Sequence, residues 1–555
     1  MRTVTGPADH IVVVGAGLAG LAAALHLRGQ GREVTVLERD PAPGGRMGVL
    51  EGPGYRMDSG ATVLTMPDLV VEALAAVGLT PAQTAPALEF TRLDPAYRAR
   101  FADGTVLDVH SAPEAMAAEI ARTIGPEAVP GYHRLRAWLA AVFETEYERF
   151  MAGNFDSPLD LVGSAAARAD LWALLRLGAF GRLGPKVGRF IADERLRRVF
   201  TFQALYAGLA PRSALGVYGA IAHMDTSLGV YFPVGGMRAV TAAMTDALRR
   251  AGGRIELGCE VTGVDYDTGR AVAVRTATGG RIDCDALVLT ADLPVVDRLL
   301  APAPRRGAPV GRLVERRPVR WSPSAVVLHG TVDRAVSSRW DRGHHHTIDF
   351  GRAWDTTFTE ITARRGRGRL MTDPSLLITR PGLTDPALNP APDRELLAVL
   401  APCPNLEAAP LDWDRLAGPY GAELLEVLEA RGYHGISGAF EIDHIDTPAT
   451  WAAQGMGAGS PFAAAHTFGQ TGPFRRRNLV AGLANVVLAG SGTTPGVGVP
   501  TALLSGRLAA ARITGPGVDS RRTAETTPGS GTLDNRSRPP RRSTRPRPAL
   551  GEQNP

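Results

Sequence analysis

Cysteine is scarce: Cys259, Cys284 and Cys403 are the only three in 555 residues, and no CxxC spacing occurs. This excludes a disulfide framework and a cysteine-built zinc site, and it suits a reducing compartment. Lysine is scarcer still, with Lys186 the single lysine among 61 basic residues. No uninterrupted apolar run reaches about 18 residues, so no transmembrane helix is expected. The opening run to Leu27 is broken by glycines with a better use and is not read as a signal peptide. GxSxG, HExxH and Walker loops are missing, and so is an obvious nucleophile dyad. His344, His345 and His346 are contiguous on a strand pattern and therefore face alternate sides. With no carboxylate or cysteine at ligand spacing, no metal site is expected.

Net charge is also lacking over most of the chain. Eight of the 61 basic and three of the 56 acidic residues lie from Arg521 onward, leaving 53 of each before it. The folded part thus shows no electrostatic footprint for nucleic acid. The segment 516–555, rich in Pro, Ser and Arg and poor in apolar residues, reads as a disordered basic tail.

What is present begins at Ile11–Val14, a β-branched run typical of a strand buried on both faces. Gly15-Ala16-Gly17-Leu18-Ala19-Gly20 follows, then a helical pattern Leu21–Arg28 and a second strand Val34–Leu37 ending at Glu38. This is GxGxxG in the setting it requires, with an acid 18 residues after Gly20. Gly15 permits the turn, Gly17 admits a pyrophosphate, and Gly20 lets helix and strand pack closely. The helix start, with roughly half a unit of positive charge, suits the diphosphate, and Glu38 suits a ribose diol. Gly44-Gly45-Arg46 then supplies a second glycine turn with a cation where a nicotinamide enzyme starts its next helix. That favours FAD over NAD.

Residues 226–295 return to this unit, with an amphipathic helix through Met237, Val240, Met244 and Leu248, a strand Arg254–Leu257, and a hairpin carrying Val261. Residues 481–515 close it: strand Val486–Leu488, the loop Ala489–Val499 containing Gly490, Gly492, Gly496 and Gly498, and a helix Thr501–Ile513 with Pro500 in its first turn. A helix N-terminus there suits the negative charge a flavin gains when it accepts hydride, and Gly496 and Gly498 clear space for the ring. The dinucleotide domain is expected from 1–75, 226–295 and 481–515. Segments 76–225, largely helical by pattern, and 296–480 form the inserted substrate domain. Asp170–Ile191 mixes Leu171, Trp172, Leu174, Leu175, Phe180 and Leu183 with Arg176, Arg182, Lys186 and Arg189, a surface suited to an anionic bilayer. Glu144, Glu146 and Glu148 lie in a helical pattern and read as solvated surface.

With these residues in view, the chain resembles the bacterial-type phytoene desaturases, carotenoid dehydrogenases of the FAD-dependent amine-oxidase/phytoene-desaturase superfamily. The resemblance rests on GAGLAGL (15–21), PGGR (43–46), MDSGATVLTMP (57–67), GVYFPVGGM (229–237), HHHTIDFG (344–351), DPSLLITRPGLTDPALNPAP (373–392) and GTTPGVGVPTALLSGRLAA (492–510). Thr494 departs from the pattern, because many relatives carry His there. The resemblance implies an α/β fold: a discontinuous Rossmann-like FAD-binding domain with an inserted mixed α+β substrate domain and a helical membrane-associating region. It implies FAD contacts at Gly15, Ala16, Gly17, Ala19, Gly20, Glu38, Arg39, Gly45, Arg46, Gly60, Ala61, Val261, Gly490, Gly498 and Val499, and no assigned catalytic residue. It further implies a lipophilic C40 carotenoid substrate, oxygen or a quinone as final acceptor, and a cytoplasmic enzyme on the inner face of the membrane. A desaturase or ketolase for another carotenoid is the nearest alternative. A flavin amine oxidase would use a lysine near the flavin, and Lys186 stands in the helical insert. An isoprenoid-binding protein that has lost flavin conflicts with the intact glycines.

Overall fold

Five parallel strands form the central sheet of the computed structural model, which describes residues 1–303, 318–340 and 343–515. Their spatial order is Val486–Leu488, Ala286–Leu289, His10–Val14, Glu33–Leu37 and Arg254–Glu256. The register pairs Val12 with Thr35 on one side and with Leu287 on the other, and Leu287 in turn with Val486. Three distant stretches of chain therefore meet edge to edge. Val12, Val13, Leu287 and Val487 are fully buried, as expected of a sheet covered on both faces.

The helix Leu18–Gly29 leaves the first strand directly, and the closing helix Val499–Thr514 packs against it. Gly506 makes the crossing close, since a Cβ there would strike the Ala19 carbonyl oxygen. The helices start three and two residues earlier than the apolar periodicity indicates. Glycine precedes each, and the first turn of each contributes to the wall of the cavity described below.

A seven-stranded sheet forms the second layer, in the order Phe440–Asp446, Ser324–Asp333, Arg394–Cys403, Leu376–Thr379, His346–Phe350, Tyr97–Phe101 and Val106–Val109. Its last two strands come from the segment read as largely helical. Tyr97–Phe101 is short and carries two arginines, yet Tyr97, Arg98, Ala99 and Phe101 are all buried. Arg98 meets Asp108 on the neighbouring strand at 2.8 Å, so cross-strand pairing overrides a weak local pattern. Another departure is Val230–Pro233, which pairs with Phe90–Leu93 instead of joining the central sheet. Residues 1–515 form one compact unit, and the basic segment 516–555 lies outside the described residues.

Candidate functional site

Between the two sheets lies a cavity of about 1490 Å3, walled at one end by the glycine turns and at the other by apolar side chains. Its volume exceeds the roughly 300–1,000 Å3 of an ordinary small-molecule site, which leaves room for a dinucleotide and a long second ligand.

The glycine turn is shaped by collisions that any side chain would cause. Gly15 has φ +107°, and a Cβ there would strike Oγ1 of Thr290, which donates to the Val14 carbonyl at 2.8 Å. A Cβ on Gly20 would strike the Gly15 carbonyl oxygen. Gly17 differs: a Cβ would meet nothing nearer than Gly44 O at 3.7 Å, so its open face is turned to the cavity. Gly17 also caps the helix Leu18–Gly29, which has neither a side-chain cap nor an acid in its first turn. Its N-terminal dipole is thereby left available for an anion.

Glu38 is buried beside this turn. Its Oε2 accepts from the Ala16 N–H at 2.6 Å and its Oε1 from the Asp40 N–H at 3.0 Å. Each oxygen retains a lone pair for a hydroxyl donor. Val261 is buried at the start of its strand, and Cys259, two residues earlier, donates its N–H to the Glu38 carbonyl at 2.7 Å. Arg39 reaches the cavity rim, half exposed, with its Nε 3.6 Å from Asp40.

Arg46 ties the two halves together. It pairs with Asp292 at 2.6 Å and donates to Ser491 Oγ at 3.0 Å, spanning 445 residues of sequence. Gly60 sits below it, where a Cβ would strike the Arg46 carbonyl, and Ala61 follows on the cavity wall. Asp58, three residues before Ala61, accepts from the Met237 and Arg238 N–H groups at 2.7 and 3.1 Å. It thus anchors the helix Arg238–Arg250, a capping role the sequence motif alone did not show.

The closing loop is held by groups that left no sequence signal. Arg475, in a run of three arginines, is buried and donates to the carbonyls of Thr493 (3.0 Å), Ala464 (3.2 Å), Gln470 (3.1 Å) and Ser491 (2.6 Å). Burial pulls its guanidinium down to about 10. Ser505 Oγ donates to Thr494 O at 2.9 Å and accepts from the Gly490 N–H at 3.0 Å. Gly490 and Gly498 have φ of +98° and +128°, and Gly498 caps the closing helix where Val499 lines the cavity. Buried His466 abuts Gly496, and no hydrogen-bond partner meets its Nε2. His345 is occupied elsewhere, with Nδ1 2.9 Å from Thr384 Oγ1 and Nε2 3.3 Å from the Thr62 carbonyl oxygen, and burial lowers it to about 4.

These residues fit an FAD. The open face of Gly17 and the uncapped helix start suit its diphosphate, Glu38 suits the ribose, and the start of the closing helix suits the ring. Toward the opposite end the lining is Leu161, Leu171, Leu174, Phe150, Ile221 and Phe474. Two carboxyls stand among these apolar walls, Asp225, which accepts from Gln203 Nε2 at 3.2 Å, and Glu146. Reading Glu144, Glu146 and Glu148 together as solvated surface is corrected by the structure, which exposes the first and third and buries Glu146. Residues two apart on a helix face nearly opposite sides. Glu146 continues the buried stripe Leu135, Trp138, Leu139 and Val142, a spacing present in the sequence.

The chain matches the model of the flavin containing amine oxidoreductase family over residues 18–514. It is 55% identical to a phytoene dehydrogenase of Streptomyces griseus, covering 93% of this chain and 97% of that protein. It is 33% identical to a zeta-carotene-forming phytoene desaturase of Myxococcus xanthus, over 91% and 93% of the two chains. Among solved structures, an oxidoreductase from Methanosarcina mazei shares the fold at a TM-score of 0.57 and 18% identity, covering 90% and 99%. The cofactor is FAD, the flavin form that a dinucleotide cradle accepts, and the chain belongs to the flavin containing amine oxidoreductase family.

Proposed function

We propose that the protein desaturates phytoene or a related C40 carotenoid in carotenoid biosynthesis. The observation that carries this reading is the apolar cavity running on from a dinucleotide cradle. A hydrocarbon offers no carbonyl or amine to grip, so shape and the exclusion of water must hold it. Bound in the cradle, FAD supplies a hydride acceptor at its N5. Gly15, Gly17, Gly20, Glu38 and Arg46 hold and orient it, the starts of the two helices stabilise its negative charge, and Gly498 leaves room for its ring, whereas Gly496 makes room for His466. Val261 and Arg39 border its adenosine end. The single lysine, Lys186, lies over the Trp138 ring at 5.4 Å and is not among the cavity-lining residues, which weighs against an amine-oxidase site.

The same reading includes contact with a membrane surface. Leu159, Val162, Trp172, Leu175 and Phe468 are exposed, with Leu175 and Phe468 also lining the cavity, and Arg168 and Arg176 beside them are exposed as well. This face is narrower than Asp170–Ile191, because Leu183, Val187 and Ile191 are buried in the core. No described helix is long and apolar enough to cross a membrane. A lipid-soluble substrate would enter through such a rim at the cytoplasmic face, and oxygen or a quinone would reoxidise the cofactor. Co-expression with a phytoene-producing pathway, followed by pigment chromatography, tests the function. Appearance of zeta-carotene, neurosporene or lycopene supports it, and failure to convert phytoene or any other C40 polyene supplied refutes it.

A further inference from the structure

Four of the acids that line the cavity have partners within the protein. Glu38 accepts two backbone N–H groups, Asp292 pairs with Arg46, Asp446 lies between His329 and His444, and Asp225 accepts from Gln203 Nε2 at 3.2 Å. Glu146 is different. It is buried and lines the cavity, and no described residue gives it a hydrogen bond or an ion pair. Burying a carboxyl without a partner is costly, and nothing in the surrounding packing requires one at this position.

The backbone also changes at this position. The helix Val129–Glu146 changes into a π-helical turn, Tyr147–Met151, immediately after Glu146, and such turns recur at functional sites. Phe150 and Met151 of that turn share the cavity wall with Glu146. Tyr218, which lines the same cavity, has its phenol pushed up chiefly by burial, with a smaller push from the Glu146 charge. The Tyr218 ring meets His466 edge-on at 5.4 Å, and His466 abuts Gly496 of the closing loop. Tyr218 and His466 thus lie between the cavity wall that carries Glu146 and the loop expected to face the flavin.

We propose that Glu146 is the proton acceptor in the desaturation, a catalytic role that rests on the carotenoid-desaturase reading. Desaturation removes two hydrogens from neighbouring carbons. One leaves with its electron pair to the FAD oxidant. The electron pair of the other C–H bond becomes the second bond of the new alkene, and its proton passes to a Glu146 carboxylate oxygen, giving the neutral acid. Burial holds this carboxyl well above the usual range, so its ionised form binds a proton more tightly than an exposed glutamate does.

The test compares FAD-loaded wild type with Glu146→Gln and Glu146→Asp, measuring turnover on vesicle-borne phytoene, bound flavin, bound carotenoid and melting temperature. The glutamine variant is expected to keep flavin, carotenoid and melting temperature while turnover falls at least about 100-fold. The aspartate variant, whose acid is set back by one methylene, is expected to recover part of that loss. Glutamine turnover within twofold of wild type overturns the proposal. So does an aspartate variant as slow as glutamine, or a glutamine variant that sheds flavin or loses its fold. Wild type inactive on every C40 polyene would instead defeat the desaturase reading itself, so the two failures are distinguishable.

Discussion

At the cofactor end of the cavity, every buried charge has a partner. Glu38 rests on two N–H groups, Arg46 on Asp292, and Arg475 on four carbonyls. At the hydrocarbon end the walls are largely Leu, Ile, Phe and Met, and Glu146, buried among them, has no partner among the described residues. The first end is a set of dipoles arranged in advance for an ionic ligand. The second selects its ligand by lacking polarity, so a lone polar group there is conspicuous as chemistry.

The largest expected effect strikes the first end. Gly15→Val combines a left-handed φ with a collision at Thr290, and the purified protein is expected to be colourless and to refuse added FAD. Flavin absorbance checks this, and a yellow variant would separate the turn from the cofactor. Next comes Arg475→Met, which strands four carbonyls. A stability loss of at least about 3 kcal/mol, measured by denaturant titration together with release of flavin fluorescence, is expected. Gly498→Val should preserve the fold better but weaken flavin binding or slow turnover, because a branched side chain enters beside the expected position of the ring at φ +128°. Equal FAD affinity and equal turnover would return the loop to a purely structural role. Smallest in stability is Trp172→Glu at the exposed rim. It should reduce co-sedimentation with anionic vesicles while changing stability by no more than about 0.5 kcal/mol.

The same contrast explains what could be read from the chain. The cradle was legible because each of its parts is local: a strand, a glycine turn, a helix start, an acid at fixed distance. Residues 10–14 and 486–488 read as buried strands that needed neighbours, and the structure joins both to residues 286–289 in one sheet. Arg475 was not legible, because nothing in Arg475-Arg476-Arg477 shows which guanidinium turns inward to cap distant carbonyls. Tyr97–Phe101 is hard to read locally because one of its two neighbouring strands, His346–Phe350, comes more than two hundred residues later. Glu146 lay between these cases. Its charge suggested surface, while its spacing from Leu135, Trp138, Leu139 and Val142 already placed it on the inner face of the helix.

The central claim is that the cradle and the apolar cavity act together on a C40 polyene. Anaerobic mixing of the FAD-loaded protein with phytoene in vesicles tests it most directly, following flavin absorbance and then the extracted pigment. The account predicts that the flavin bleaches as a product with additional conjugated double bonds appears in matching amount. A flavin that stays oxidised while phytoene and the other C40 polyenes are recovered unchanged would contradict it.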